Sequence, residues 1–164
     1  MRKQDAAVSQ VTVRQDPVNQ LAIEMRAKRF CLTIEEAKNP LVGTYVGRLC
    51  LKAVLTKDQY DAAQKYLEVR NDYSCAKGLP SAVYDEMPSS CDEEAREKWV
   101  ERATEQFSNI QEVIRETQCF YRQYNLHAAL QYLVVEDQEL PHLVSSLRIA
   151  LNALQKYFEQ KKKW

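Results

Sequence analysis

Apolar residues recur every three or four positions along most of this chain, a spacing that predicts helices. The plainest case lies near the C-terminus. Leu147, Leu151, Leu154 and Phe158 stand at i, i+4, i+7 and i+11, with Leu143, Val144 and Ala150 widening the same side. That is one face of an amphipathic helix, and Pro141 suits its first turn. A second stripe runs through Trp99, Ala103, Phe107, Ile110, Val113, Ile114 and Thr117. It predicts a long helix capped by Asp92, with Glu93 and Glu94 in the first turn, where the helix dipole favours acids. Continued to Tyr124 it would measure about 48 Å at 1.5 Å per residue.

Shorter elements fill the rest. Asp16-Pro17 marks a helix start. Val18, Leu21, Ile23, Met25 and Phe30 would give that helix an apolar side. Thr33 and Glu36 have capping-box spacing, as do Thr56 and Gln59. Asn39-Pro40 opens a helix carrying Leu41, Tyr45, Leu49 and Ala53, and the helix after Thr56 carries Tyr60, Ala63 and Leu67 to about Tyr73. Gly43 and Gly47 lie four apart, and each costs roughly 1 kcal/mol against Ala in a helix, so close approach of another backbone is expected there. Residues 126–136 read as a buried helix that includes His127, and Asp137-Gln138-Glu139 as a polar turn. The fold class is therefore all-α. We expect one helical domain over 16–160 with six or seven helices and two helix-turn-helix-like hairpins, one over 41–73 and one over 126–160. A mobile arm (1–15), an internal loop (75–91) and a basic tail (161–164) complete it.

Composition agrees with this picture. Three glycines and five prolines in 164 residues are too few for the tight turns of a sandwich or barrel. At 45% hydrophobic and 28% charged the chain is ordinary for a globular protein. The net charge is zero, but unevenly spread. Residues 1–57 hold ten basic and five acidic side chains, 58–140 hold eight and seventeen, and 141–164 hold five and one. Two basic ends flank an acidic middle. The ends either meet phosphates or acidic proteins, or pack against the middle and neutralise it. The five widely spaced cysteines form no CxxC pair and no disulfide framework, so they read as small hydrophobes in a reducing compartment. No apolar run spans a membrane and no signal peptide opens the chain, so a cytoplasmic location is expected.

Chemistry is hard to place here. Neither a P-loop nor GxGxxG occurs. His127 and His142 have no partner at metal-ligand spacing, and Cys119 lies eight residues from His127, about two helical turns. No catalytic residue, metal or cofactor is expected. Binding features remain. The start of the last helix carries Ser145, Ser146 and Arg148, the hydroxyls and bidentate donor that reach phosphates or guanine edges; the same residues also fit an ordinary helical hairpin. Arg26, Lys28, Arg29, Lys38, Arg48, Lys52 and Lys57 are either one phosphate-binding surface or scattered solubilising charge. The closing KKKW could stack on a base or simply fray.

Two segments together resemble a known family. They are Asn39-Pro40-Leu41 through Gly47-Arg48-Leu49 to Leu55-Thr56-Lys57-Asp58-Gln59-Tyr60-Asp61-Ala62-Ala63, and Ser145-Ser146-Leu147-Arg148-Ile149-Ala150-Leu151-Asn152-Ala153-Leu154-Gln155-Lys156-Tyr157-Phe158. In order and spacing they are similar to the C-terminal, sigma-factor-like domain of alphaproteobacterial phage and gene-transfer-agent regulators, over roughly residues 36–160. The resemblance implies transcriptional control through DNA and/or RNA polymerase in a bacterial or phage-infected cell. It places a contacting helix at Ser145, Ser146 and Arg148, and Lys156 joins these. The chain departs from that family in being neutral, with an acidic 92–105 segment, and in lacking the separate N-terminal DNA-binding domain of some members. A small terminase-like packaging subunit, forming a homo-oligomer, and an inhibitor whose acidic helix mimics nucleic acid are the rival expectations.

Overall fold

In the computed structural model, residues 17–79 and 93–161 are described. The expected arm, most of the expected 75–91 loop and residues 162–164 of the tail lie outside them. Among the described residues there are seven α-helices and no strand: α1 (Pro17–Phe30), α2 (Ile34–Ala37), α3 (Tyr45–Leu51), α4 (Lys57–Ala76), α5 (Glu93–Phe120), α6 (Leu126–Ala129) and α7 (Val144–Lys161). The all-α class is as expected. The chain divides into two compact units, with the boundary between Val42 and Gly43.

In the first unit α1 packs on α2. Thr33 caps α2 as its spacing predicted: its Oγ1 accepts from the Glu36 amide at 3.2 Å while Glu36 accepts from the Thr33 amide at 2.9 Å. Ala27 and Ala37 are buried, and Arg26 donates to the Ala37 carbonyl at 3.3 Å. The apolar side expected for α1 is not an interior face, because Leu21 is 60% and Met25 62% exposed.

The second unit holds the main core. Helices α4, α5 and α7 pack on one another, and α6 closes against α7. Ile110 and Ile114 of α5 meet Ala62, Ala63 and Tyr66 of α4, and Leu147, Ala150, Leu151 and Leu154 of α7. Leu126, Ala129, Leu130, Leu133 and Val134 join this cluster, as do Tyr45, Val46 and Leu49 of α3 and Leu55 after it. Helix α6 continues as a π-helical segment, Leu130–Val135, in which hydrogen bonding reaches five residues on instead of four. The strong stripe of α7 is thus core, as its spacing foretold.

Several ends differ from expectation. The chain before α3 is a short 3-10 turn, Pro40–Gly43, and Thr44 caps the helix by accepting from the Gly47 amide at 3.1 Å. A Cβ built on Gly43 would meet nothing within 4 Å, so close backbone approach does not explain that glycine. Helix α5 stops at Phe120, four residues early. Gln118 takes up the turn's free polar groups: its Oε1 accepts from the Leu126 amide at 2.9 Å and its Nε2 donates to the Tyr121 and Tyr124 carbonyls. Asn125 caps α6, accepting from the Ala128 amide at 3.0 Å. His127 is exposed, not buried.

Just past the end of α3, Ala53 takes a left-handed φ of 55°, and the Val54 amide returns to the Leu49 carbonyl at 3.0 Å. That turn normally takes glycine because a Cβ there crowds the following carbonyl. Replacing Ala53 with Gly should stabilise the protein by about 0.5–1 kcal/mol, after the entropy glycine adds to the unfolded chain. Urea denaturation followed by helical circular dichroism measures it.

Tyr66 gives a second expectation. Burial pushes its phenol above the ordinary 10.0, against a lowering by Arg70. Below that value folded and unfolded chains both carry the neutral ring. Above it the unfolded chain loses its proton first, so stability falls as pH climbs from about 10 toward the raised folded value. Tyr66→Phe should flatten that part of the alkaline slope, measured as unfolding free energy on either side of pH ~10.

Candidate partner-binding surface

The sequence-predicted contact residues sort by exposure. Arg48 is 7% exposed, and its Nη2 donates to Glu139 Oε1 at 2.5 Å while its guanidinium lies 5.7 Å from the Tyr45 ring. One residue pair away, Asp137 Oδ1 accepts from the Tyr45 amide at 2.5 Å. The polar turn 137–139 thereby serves the first turn of α3, supplying an acceptor to a free helix amide and an acid to the nearest cation. Asp137 adopts a φ of 53° to do so. Arg48 is therefore committed inside the protein and presents nothing to a phosphate. Ser146, at 4% exposed, faces the core side of α7 and likewise leaves the contact set.

The others reach solvent. Lys28 and Arg29 lie exposed on the last turn of α1, where Arg29 sits 5.2 Å from the Phe30 ring, and Arg26 is half-buried by its bond to Ala37. Lys52 is exposed at the end of α3. Arg26, Lys28 and Arg29 belong to the first unit, Arg48 and Lys52 to the second. On α7, Ser145, Arg148, Asn152 and Lys156 are all exposed. Their spacing of three, four and four puts them along one helical face. Among the described residues neither Arg148 nor Lys156 makes an ion pair, whereas Asn152 Oδ1 accepts from the buried Gln59 amide at 2.6 Å. That bond ties the start of α4 to the middle of α7 and fixes the azimuth of the α7 face.

Sequence reasoning missed what lies beside this face. A groove of about 540 Å³ runs between the end of α5 and α7. Ile149, Ala153 and Tyr157 form its apolar side on α7, and Val113 and Thr117 face them from α5. Phe120 stands at its edge, 85% exposed, with Tyr121 next to it. An exposed phenyl ring at a helix end carries no periodic signal, because the stripe of α5 predicts only which residues pack inward.

His127 and His142 are exposed, and among the described residues no cluster of three His, Cys, Asp or Glu side chains is placed to hold a metal ion. Of the described cysteines Cys75 is buried, while Cys31 and Cys119 are exposed instead of packing as small hydrophobes. No described helix is long and apolar enough to cross a membrane. No protein-family model matches the sequence, and neither a curated protein nor a solved structure is detectably similar to it.

Two arginines make opposite predictions. Arg48→Met should cost about 1–3 kcal/mol by removing the charge-assisted bond to Glu139 and the guanidinium's contact with the Tyr45 ring. Arg148→Ala should leave the unfolding free energy within about 0.5 kcal/mol of the parent, as surface changes do. Parallel denaturation curves decide this, and an Arg48→Met protein as stable as the parent would contradict the structural role given to that side chain.

Proposed function

We propose that this protein is a transcription regulator of the phage or gene-transfer-agent type, working by protein contact with RNA polymerase more than by reading DNA. The observation that carries the reading is the α7 face, on which Ser145, Arg148 and Lys156 are exposed and both cations lack an ion pair among the described residues. This is the helix that the family resemblance marks as the contacting one. Burial of Ser146 and Arg48 shifts the balance from DNA toward protein. A groove-reading helix needs several base- and phosphate-reaching groups near its start, and one of the three expected at the start of α7, Ser146, is turned inward. Helix α5, with seven acidic and four basic residues, adds negative potential that disfavours close approach of a phosphate backbone.

Capture of purified RNA polymerase by the full chain tests this. The parent should bind, and Arg148→Glu should weaken binding about tenfold or more while the fold is kept. Binding to duplex DNA should be weak, with log K falling against log salt no more steeply than a slope of about −2, the value for two neutralised phosphates. A slope several times steeper together with no polymerase capture would replace protein docking by DNA binding. Failure of both would end the regulator reading.

A packaging or assembly subunit is the second reading, favoured by the exposed Phe120 at the rim of a large groove. A ring of many subunits in light scattering would select it.

A further inference from the structure

The groove between α5 and α7 has walls of opposite charge. Glu116 is exposed on the α5 wall and Lys156 on the α7 wall. Among the described residues neither makes an ion pair, whereas the neighbouring Arg115 is engaged by Glu112. Between the two walls the surface is apolar, through Ile149, Ala153 and Tyr157. Phe120 projects from the rim into solvent. A large apolar side chain left that open forgoes the stabilisation that burial would contribute, which makes it a contact waiting for an occupant.

The charge pattern says which occupant. A site that selects a foreign basic or acidic peptide presents one sign of charge. This groove presents one of each, on opposite sides of an apolar strip. In a two-fold pairing the same patch meets itself with the walls exchanged. Glu116 of one copy then faces Lys156 of the other, and the reverse pair forms by symmetry. Each Phe120 enters the other copy's groove, whose volume of about 540 Å³ accommodates a phenyl ring with room for its flanking residues. We infer that this groove binds a second copy of the chain, forming a two-fold dimer in which Phe120 is the anchor and the Glu116–Lys156 pairs set the register.

The dimer surface does not depend on the transcription reading. Lys156 belongs to both surfaces, but Arg148 lies outside the groove lining and Phe120 lies off the α7 face, so Arg148→Glu and Phe120→Ala test polymerase capture and self-association separately. A two-fold dimer also stops at two copies, whereas the ring of the assembly reading holds many.

Sedimentation equilibrium of the full chain over a wide concentration range provides the test. The parent should fit a monomer–dimer equilibrium. Phe120→Ala should raise the dimer dissociation constant about tenfold or more, with unchanged helical circular dichroism because the ring touches no core. Glu116→Lys and Lys156→Glu should each weaken dimerisation by like-charge contact, and the double exchange should restore most of it. That rescue separates a paired interface from general loss of solubility. A parent that stays monomeric throughout, a Phe120→Ala protein that dimerises like the parent, or a double exchange no better than either single one would each overturn the inference.

Discussion

The unit from Gly43 onward depends on burying one side of α7. Leu147, Ala150, Leu151 and Leu154 are without solvent exposure, and they line up along the helix at spacings of three and four. A single helix cannot hide such a stripe by itself. It needs neighbours on two sides, and α4 and α5 supply Ala62, Ala63, Tyr66, Ile110 and Ile114. The alanines of α4 allow close approach, while the isoleucines of α5 fill the remaining volume, as dense packing requires. Once α7 is held in this way its opposite face is settled as well. Ser145, Arg148, Asn152 and Lys156 must then meet solvent.

Polar ties at the edge of this core set the details that apolar packing leaves free. Gln59 closes the capping box at the start of α4 and also donates to Asn152 on α7. Asp137 and Glu139 hold the first turn of α3 through Tyr45 and Arg48. Gln118 gathers three backbone groups of the α5–α6 turn. Each satisfies groups at a helix end that are costly to leave unpaired when removed from water. Together they decide where helices stop, and so which side chains are left outside. Phe120 is exposed because α5 ends there and the chain turns back, and this end position also forms one rim of the groove.

The exposed surface follows from the same division. A core built from one side of α7 leaves the other side polar, charged and rigidly displayed, a suitable arrangement for macromolecular contact. The groove adds an apolar element next to that polar face. The polar face and the groove share α7 and overlap at Asn152 and Lys156, while Arg148 lies outside the groove lining and Tyr157 within it.

Local rules made much of this legible in the residues themselves. The stripe of α7, the boxes at Thr33 and Thr56, the start at Pro17 and the all-α class all follow from spacing and capping, which act within a few residues. Distant contacts had the last word elsewhere. Nothing near Arg48 in sequence reveals that Glu139 waits 91 residues away, so a buried, paired arginine reads there as a free cation. Ser145 and Ser146 look alike in a sequence, and only the azimuth of α7 against α4 and α5 turns one to solvent and the other inward. The ends at Ala53 and Phe120 were hidden too, since one rests on a left-handed residue that is not glycine and the other on a glutamine side chain reaching across a turn. Sequence by itself determined the helices and the inward face of the strongest one, because periodicity is a local property. Tertiary structure alone decided which charges are spent internally, which remain outside and where the groove lies, because those depend on partners the chain brings together only on folding.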